Sequence, residues 1–234
     1  METVDVIIPC RGHAAYLKEA VDSVLSQEGD INVHVIIVCD DDEEAFTVAS
    51  NAAESGPVTA LLLDSHVGTY VAINAGLRER RGDWVTFCGA DDMFTADRVG
   101  MLLDASANDG WRAVANTWHI KVDKDGKHLK LGAETLGGVF MYHAEMVEAL
   151  GGFKAWPCSA DTEFYFRAIR NGGHRCVRSR PAYLYRQHEE QLTRRRGTGF
   201  GSKKRKSLEA AMMNPPSVYV RPVEGTIKER ITHG

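Results

Sequence analysis

The sequence predicts an α/β fold: a doubly wound, mainly parallel sheet with helices on both faces and a smaller antiparallel subregion in its second half. Four short apolar, largely β-branched runs alternate with helix-period segments in the first half of the chain. Polar residues collect at the carboxyl ends of those runs, where sheets of this kind bind ligands.

Val4 to Pro9 (VDVIIP) is the first strand, and Tyr16 to Gln27 is a helix because Leu17, Ala20, Val21, Val24 and Leu25 recur at helical spacing. Val33 to Cys39 (VHVIIVC) is the second strand; it runs into Asp40-Asp41-Asp42 and a helix over Glu43 to Ser55, which Gly56-Pro57 ends. Thr59 to Leu63 and Trp84 to Cys88 are the third and fourth strands, followed by helices over about Tyr70 to Arg80 and Ala96 to Asn108. In the second half, Arg112 to Val122 and Lys127 to Leu131 flank the turn residues Asp123 to Gly126 and predict a hairpin. Gly137 to Tyr142 predicts a strand, His143 to Leu150 a short helix, and Asp161 to Asn171 an amphipathic helix closed by Gly172-Gly173. Cys176 to Tyr185 is the expected last strand. From Ser207 onward, prolines and mixed polarity predict a helix remnant and a weakly ordered tail.

The 44% apolar content of the 234 residues suffices for a folded core, and no run of eighteen apolar residues occurs, so a soluble, cytoplasmic chain is expected. Five cysteines, without a Cys-x-x-Cys pair, read as reduced buried thiols. The net charge is −4, but residues 194–206 hold seven Lys or Arg and no acid, leaving the other 221 residues at −11. A basic segment on an acidic body suits an anionic partner: a diphosphate, a nucleic acid or a membrane surface.

The acidic turn Asp91-Asp92 after the fourth strand forms a hard oxygen site suited to Mg2+ or Mn2+, although an isolated Asp-Asp pair more often caps the next helix. Asp40-Asp41-Asp42 can accept hydrogen bonds from a ribose or base, or can be a solvated turn with a helix cap. Asp161 and Glu163 open a helix, where carboxylates often serve only the helix dipole. Trp111, Trp118 and Trp156 are more often packing residues than stacking platforms; Trp156, just ahead of Asp161, is the strongest acceptor-side candidate of the three. Cys10-Arg11-Gly12-His13 is too poor in glycine for the phosphate loop of a nucleotidyltransferase.

In order, Ile8-Pro9-Cys10-Arg11-Gly12, Val38-Cys39-Asp40-Asp41, His66-Val67-Gly68, Ala72-Ile73-Asn74-Ala75-Gly76, Gly89-Ala90-Asp91-Asp92, Gly151-Gly152-Phe153, Ala160-Asp161 through Arg167, and Tyr185-Arg186-Gln187-His188 follow one another. This succession, over about Val4 to Thr193, resembles the family 2 glycosyltransferases of the GT-A fold. Gly89, Ala160 and Ile73 stand where that family often has Asp, Glu and Arg.

The resemblance implies a metal-dependent, inverting transfer of a sugar from a nucleoside-diphosphate donor, UDP foremost, to a saccharide or lipid-linked hydroxyl. Asp41, with Asp40 close by, would contact the base, and Pro9 and Arg11 would shape its pocket. His66, Gly68, Asn74 and Ala90 occupy further donor-side positions. Asp91 would ligate Mn2+ or Mg2+ with His188, and Asp161 would be the general base. Asp92, Arg194, Arg195 and Arg196 are candidates for the diphosphate, the three arginines on a lid; Trp156 and Glu163 are candidates for the acceptor. The implied layout is one domain over residues 1–206, with a donor half (1–110), an acceptor half (111–193), a basic mobile loop (194–206) and then a tail (207–234). A hydroxyl-bearing nucleic-acid base as acceptor, contacted by residues 194–206, and a non-catalytic nucleotide-sugar-binding protein are the alternatives.

Overall fold

The computed structural model describes residues 2–107, 113–116, 118–132, 140–172, 175–177, 180–212 and 220–233. The first half follows the expected alternation: β1 (Thr3–Cys10), α1 (Ala14–Leu25), β2 (Asn32–Cys39), α2 (Glu43–Ser55), β3 (Val58–Leu63), α3 (Thr69–Arg78) and β4 (Trp84–Phe87). β1 lies between β2 and β4, and β2 beside β3, all parallel. Buried on both faces, β1 sends Val4, Val6 and Ile8 into one apolar layer with Leu17, Val21 and Val24 of α1, and Ile7 into the opposite layer with Ala72 and Ala75 of α3. α3 approaches closely because Gly76 has no side chain; a Cβ there would lie 2.8 Å from Ile7 Cγ2.

The remaining elements are β5 (Met93–Phe94), α4 (Arg98–Ala107), β6 (Ala113–Asn116), β7 (His119–Val122), β8 (His128–Gly132), β9 (Phe140–His143), α5 (Ala144–Leu150), α6 (Ala160–Gly172), β10 (Arg175–Val177), β11 (Tyr183–Arg186), a 3-10 turn (Leu192–Arg194), α7 (Lys203–Met212) and β12 (Ile227–Thr232). The main sheet has eight strands in the order β10-β6-β9-β4-β1-β2-β3-β12, and a second sheet has the order β5-β11-β7-β8. Antiparallel pairing enters at β9 and β12 of the main sheet. In the second sheet β11 runs antiparallel to β5 and parallel to β7, and β7 antiparallel to β8.

Two expected strands each divide between these sheets. Of Arg112 to Val122, β6 joins the main sheet while only β7 forms the expected hairpin with β8. Of Cys176 to Tyr185, β10 joins β6 and β11 joins the second sheet. Alternating polarity marks a run as extended without encoding which sheet each part enters. The expected tail also contains a strand: β12 covers the edge of the Leu-rich β3 in antiparallel register. A bulge between Ile227 and Glu229 shifts that register, and Ile227 and Ile231 join opposite apolar layers. The start of the expected strand at Gly137, together with Trp111 and Cys176, falls outside the residues whose side chains are described; Cys10, Cys39, Cys88 and Cys158 are free and buried. Among the described residues no helix is long and apolar enough to cross a membrane.

Candidate functional site

The carboxyl ends of β1, β2 and β4 open on a cavity of about 540 Å³ whose lining includes Arg11, His13, Asp40, Gly68, Asp91 and Trp156. A second cavity of about 240 Å³, lined by Tyr70, Asp161 and Phe200 among others, shares Pro9, Gly89, Pro157 and Tyr185 with the first. The two are parts of one cleft. Residues from both halves of the sequence therefore meet in it.

At one end, the Arg11 guanidinium donates to the Asp41 backbone carbonyl at 2.9 Å and to its carboxylate at 3.2 Å. Asp41 adopts φ 55°, a left-handed conformation uncommon outside glycine and asparagine, leaving its side chain half exposed. Asp42 caps α2 through the Ala45 N–H and also accepts from the Gly12 N–H at 2.7 Å. Asp40 is buried and accepts from the backbone N–H groups of Val67 and Gly68, at 2.8 and 2.9 Å, and lies 2.8 Å from His66 Nδ1. Its carboxylate thus anchors the loop before α3, and Asp41 and Arg11 remain the accessible polar pair.

In the middle stands Asp91, 14% exposed, with Oδ2 2.8 Å from His188 Nε2 and 3.9 Å from His13 Nδ1. The two imidazoles meet edge to face with centroids 5.1 Å apart. Buried Arg186 locks the turn: it donates to the carbonyls of Asp91 (2.8 Å) and Lys124 (2.6 Å) and to Glu19 (2.6 Å), and it stacks on Tyr16. His13 and Arg186 were not singled out from the sequence. The available signals were a histidine just past the first strand, at the sheet's ligand-binding edge, and an arginine inside the Tyr-Arg-x-His run.

Asp92, expected at the diphosphate, lines both cavities but is engaged within the protein. It is buried and accepts hydrogen bonds from the Tyr183 hydroxyl (2.7 Å) and the Arg186 N–H (2.9 Å), tying β4 to β11. Burial, reinforced by neighbouring Asp91, pushes its carboxyl well above the usual carboxylate range. A Cβ at Gly89 would sit 2.6 Å from Asp92 Oδ2 and 2.9 Å from Asp91 Oδ1, so a side chain there would make both carboxylates shift.

At the other end, Asp161 in the first turn of α6 accepts a 2.8 Å hydrogen bond from the Tyr70 hydroxyl. Burial and the adjacent Asp161 push the Tyr70 phenol well above its ordinary pKa, so Tyr70 stays a donor. α6 begins after Ser159, whose φ of 62° is strained for a residue with a Cβ; Arg205 of α7 donates to its hydroxyl at 2.9 Å. The basic segment is therefore folded against the site around Arg205. Arg195 lines the larger cavity, Arg194 reaches Gln187 at 3.4 Å, and Arg196 is exposed.

Two further expectations are corrected. Glu163, 2% exposed, is engaged by Arg167 at 2.9 Å and Lys154 at 3.0 Å, which removes it from the acceptor side. The apolar stripe of α6 carries Glu163 inward, where a carboxylate persists only when paired. Asn74 is buried in α3, donates to the carbonyls of Phe153 and Val223, and accepts from the Phe153 N–H. It clasps the Gly-Gly-Phe loop and does not line the cleft. Trp156 does line the cavity, with the Lys154 ammonium 4.8 Å from its ring centroid. Ala90 is a buried part of the cavity wall.

The donor set around Asp91, one carboxylate with two imidazoles, fits a divalent cation. His13, His188 and exposed Glu190 bring ligand atoms within 4.8 Å of one another.

The glycosyl transferase family 2 profile matches residues 5–170. The succinoglycan biosynthesis protein ExoO of Rhizobium meliloti (strain 1021) is 27% identical over 131 residues, which are 56% of this chain and 37% of that protein. An uncharacterized glycosyltransferase of Haemophilus influenzae is 30% identical over 100 residues, 43% of this chain and 33% of that one. S. aureus TarS 1-349 superposes with a TM-score of 0.65 in its complex with UDP and 0.67 in its complex with UDP-GlcNAc, at 15% identity. Those superpositions cover 82% and 81% of this chain and 62% and 60% of TarS 1-349, and they establish the GT-A fold. This chain thus spans between about a third and three-fifths of these proteins' lengths. With the profile running from β1 through the acidic turn and into α6, the elements that build the cleft, the chain belongs to glycosyl transferase family 2.

Proposed function

We propose that the chain is a glycosyltransferase that moves a sugar, with inversion, from a nucleoside-diphosphate donor, UDP foremost, to a hydroxyl acceptor. The observation that carries this reading is the joining of the Asp91 cavity to the Asp161 cavity in one cleft. Binding of UDP and UDP-GlcNAc by TarS, which shares the fold, supports the donor class.

Arg11 and Asp41 form the polar end suited to a base. Asp91 and His188 would hold the divalent cation, which would supply positive charge to the departing diphosphate. Asp161 accepts the acceptor's hydroxyl proton while that oxygen attacks the anomeric carbon. The bond from that carbon to the diphosphate oxygen breaks, and the nucleoside diphosphate leaves with its electron pair. Tyr70 fixes one Asp161 oxygen and leaves the other for this proton. The acceptor would enter past Phe200, which is 66% exposed, and a rim bearing Arg195, which lines the larger cavity. That rim suits a lipid-linked or otherwise anionic acceptor.

The test is release of nucleoside diphosphate from a donor panel with Mn2+. Asp161→Asn should lower turnover by about 100-fold or more and leave donor-induced thermal stabilisation unchanged. Turnover at the parent rate would remove Asp161 as the base.

A further inference from the structure

We propose that His13 is a third protein ligand, completing with Asp91 and His188 a two-imidazole, one-carboxylate site that favours first-row transition ions over magnesium. The inference rests on the reading that Asp91 and His188 hold the donor's cation. It adds a ligand from the loop after β1 and a metal preference.

Position 89 supplies no carboxylate to the acidic turn, and a side chain there would have to displace its neighbours. A side chain there would begin 2.6 Å from Asp92 Oδ2, and Asp92 is held by Tyr183 and Arg186. The turn thus offers Asp91 first, because each oxygen of Asp92 already accepts a hydrogen bond.

His13 is placed to make up the shortfall. It precedes α1 and its carbonyl accepts from the N–H groups of Tyr16 and Leu17, yet its ring forms no cap for that helix and points its Nδ1 toward Asp91 instead. The side chain is 10% exposed, edge-on to His188, with Nδ1 3.9 Å from Asp91 Oδ2. An imidazole buried to this degree normally has a partner. Ligand atoms bound at about 2.0–2.2 Å to one ion lie at most about 4.4 Å apart. The Asp91–His188 and Asp91–His13 separations, 2.8 and 3.9 Å, both fall inside that limit, and the two imidazoles bring nitrogens within 4.8 Å of each other and of a Glu190 oxygen. Tyr16, tilted against His188 with centroids 5.4 Å apart, and the Arg186 stack beneath it restrict the rings.

Two nitrogen donors out of three set the preference. Magnesium holds to oxygen ligands and sheds water reluctantly, whereas imidazole binds first-row transition ions well. The expected order is cobalt above manganese above magnesium.

The experiment uses the full chain with the metal ions alone. Mn2+ binding is counted from the free-ion electron paramagnetic resonance signal, Mg2+ is measured by competition, and Co2+ coordination is read from visible absorption. His13→Ala and the milder His13→Asn should each weaken Mn2+ and Co2+ binding by about tenfold or more and reduce the nitrogen-ligand cobalt band. Mg2+ affinity should change much less. Unaltered circular dichroism and melting would show the variants folded. If both variants bind Mn2+ and Co2+ as the parent does while Asp91→Asn does not, His13 is no ligand and the Asp91 site stands. If Asp91→Asn also binds as the parent does, or the parent binds neither ion, the cation site itself is overturned and the inference with it.

Discussion

Asn74 makes three hydrogen bonds from the buried face of α3, two of them to Phe153 and one to Val223, and so joins three distant stretches of chain under the cleft. Replacing it with alanine leaves two carbonyls and an N–H without their partner, a loss of about 3 kcal/mol. Urea unfolding of Asn74→Ala should register that loss, and a change below about 1 kcal/mol would count against the clasp. Polar residues of this kind divide by environment, which a linear sequence carries poorly. Asp91 and Asp92 are neighbours in one turn, yet Asp91 meets His188 while Asp92 is held by Tyr183. The place of Asp161 in the cleft was legible from motif order alone, since a carboxylate at a helix start more often serves only the dipole. Glu163, two residues on, reads the same way in sequence but turns inward to Arg167. His13 escaped because a single histidine in a loop carries little signal until His188, far along the chain, is brought beside it.

At the scale of elements, α2 has the expected bounds, and the other helices and strands of the first half fall within about two residues of theirs, except the two-residue β5, which was not expected. There the βα alternation is local, and hydrophobic period and turn residues agree. The second half was less legible because pairing is long-range. β6 and β7 are neighbours in sequence but enter different sheets, and β12 crosses back to the far edge. β12 makes a test possible. Its outward residues Lys228, Glu229 and Arg230 are exposed, so it presents charge at the edge and covers Leu61, Leu62 and Leu63 of β3. Ending the chain after Thr226 keeps the clasp at Val223 but uncovers that leucine-rich strand. The shortened chain should lose thermal stability and aggregate, as followed by melting and light scattering. If it remains monomeric with the parent's melting temperature, β12 is a passive extension.

Across the whole molecule, the sheet's ligand-binding edge is also where acidic and thiol groups are most deeply enclosed. Burial, reinforced by Asp42, raises the Cys10 thiol from 9.0 to about 12, and burial raises Cys39 and Cys88 as well. The Tyr185 phenol is pushed up to about 12, and Tyr70, Tyr142 and Tyr183 are raised by the same cause. Each of these acids holds its proton more tightly folded than unfolded. Below their unfolded values both states keep these protons, and the groups contribute no pH dependence. Above pH 9.0 for the thiols and 10.0 for the phenols, the unfolded chain releases protons that the folded chain retains, so rising pH favours unfolding. For each such group the slope approaches roughly 1.4 kcal/mol per pH unit until the folded value is reached. Urea midpoints should therefore fall steeply between about pH 9 and pH 11, with tyrosine ionisation appearing together with unfolding. A midpoint that stays flat over that interval, or phenols that titrate in the intact fold, would mean that water reaches these groups. The interior beneath the cleft would then be too wet for the low-dielectric leaving-group stabilisation proposed at Asp91, since a charge-stabilising site gains its strength from the exclusion of water.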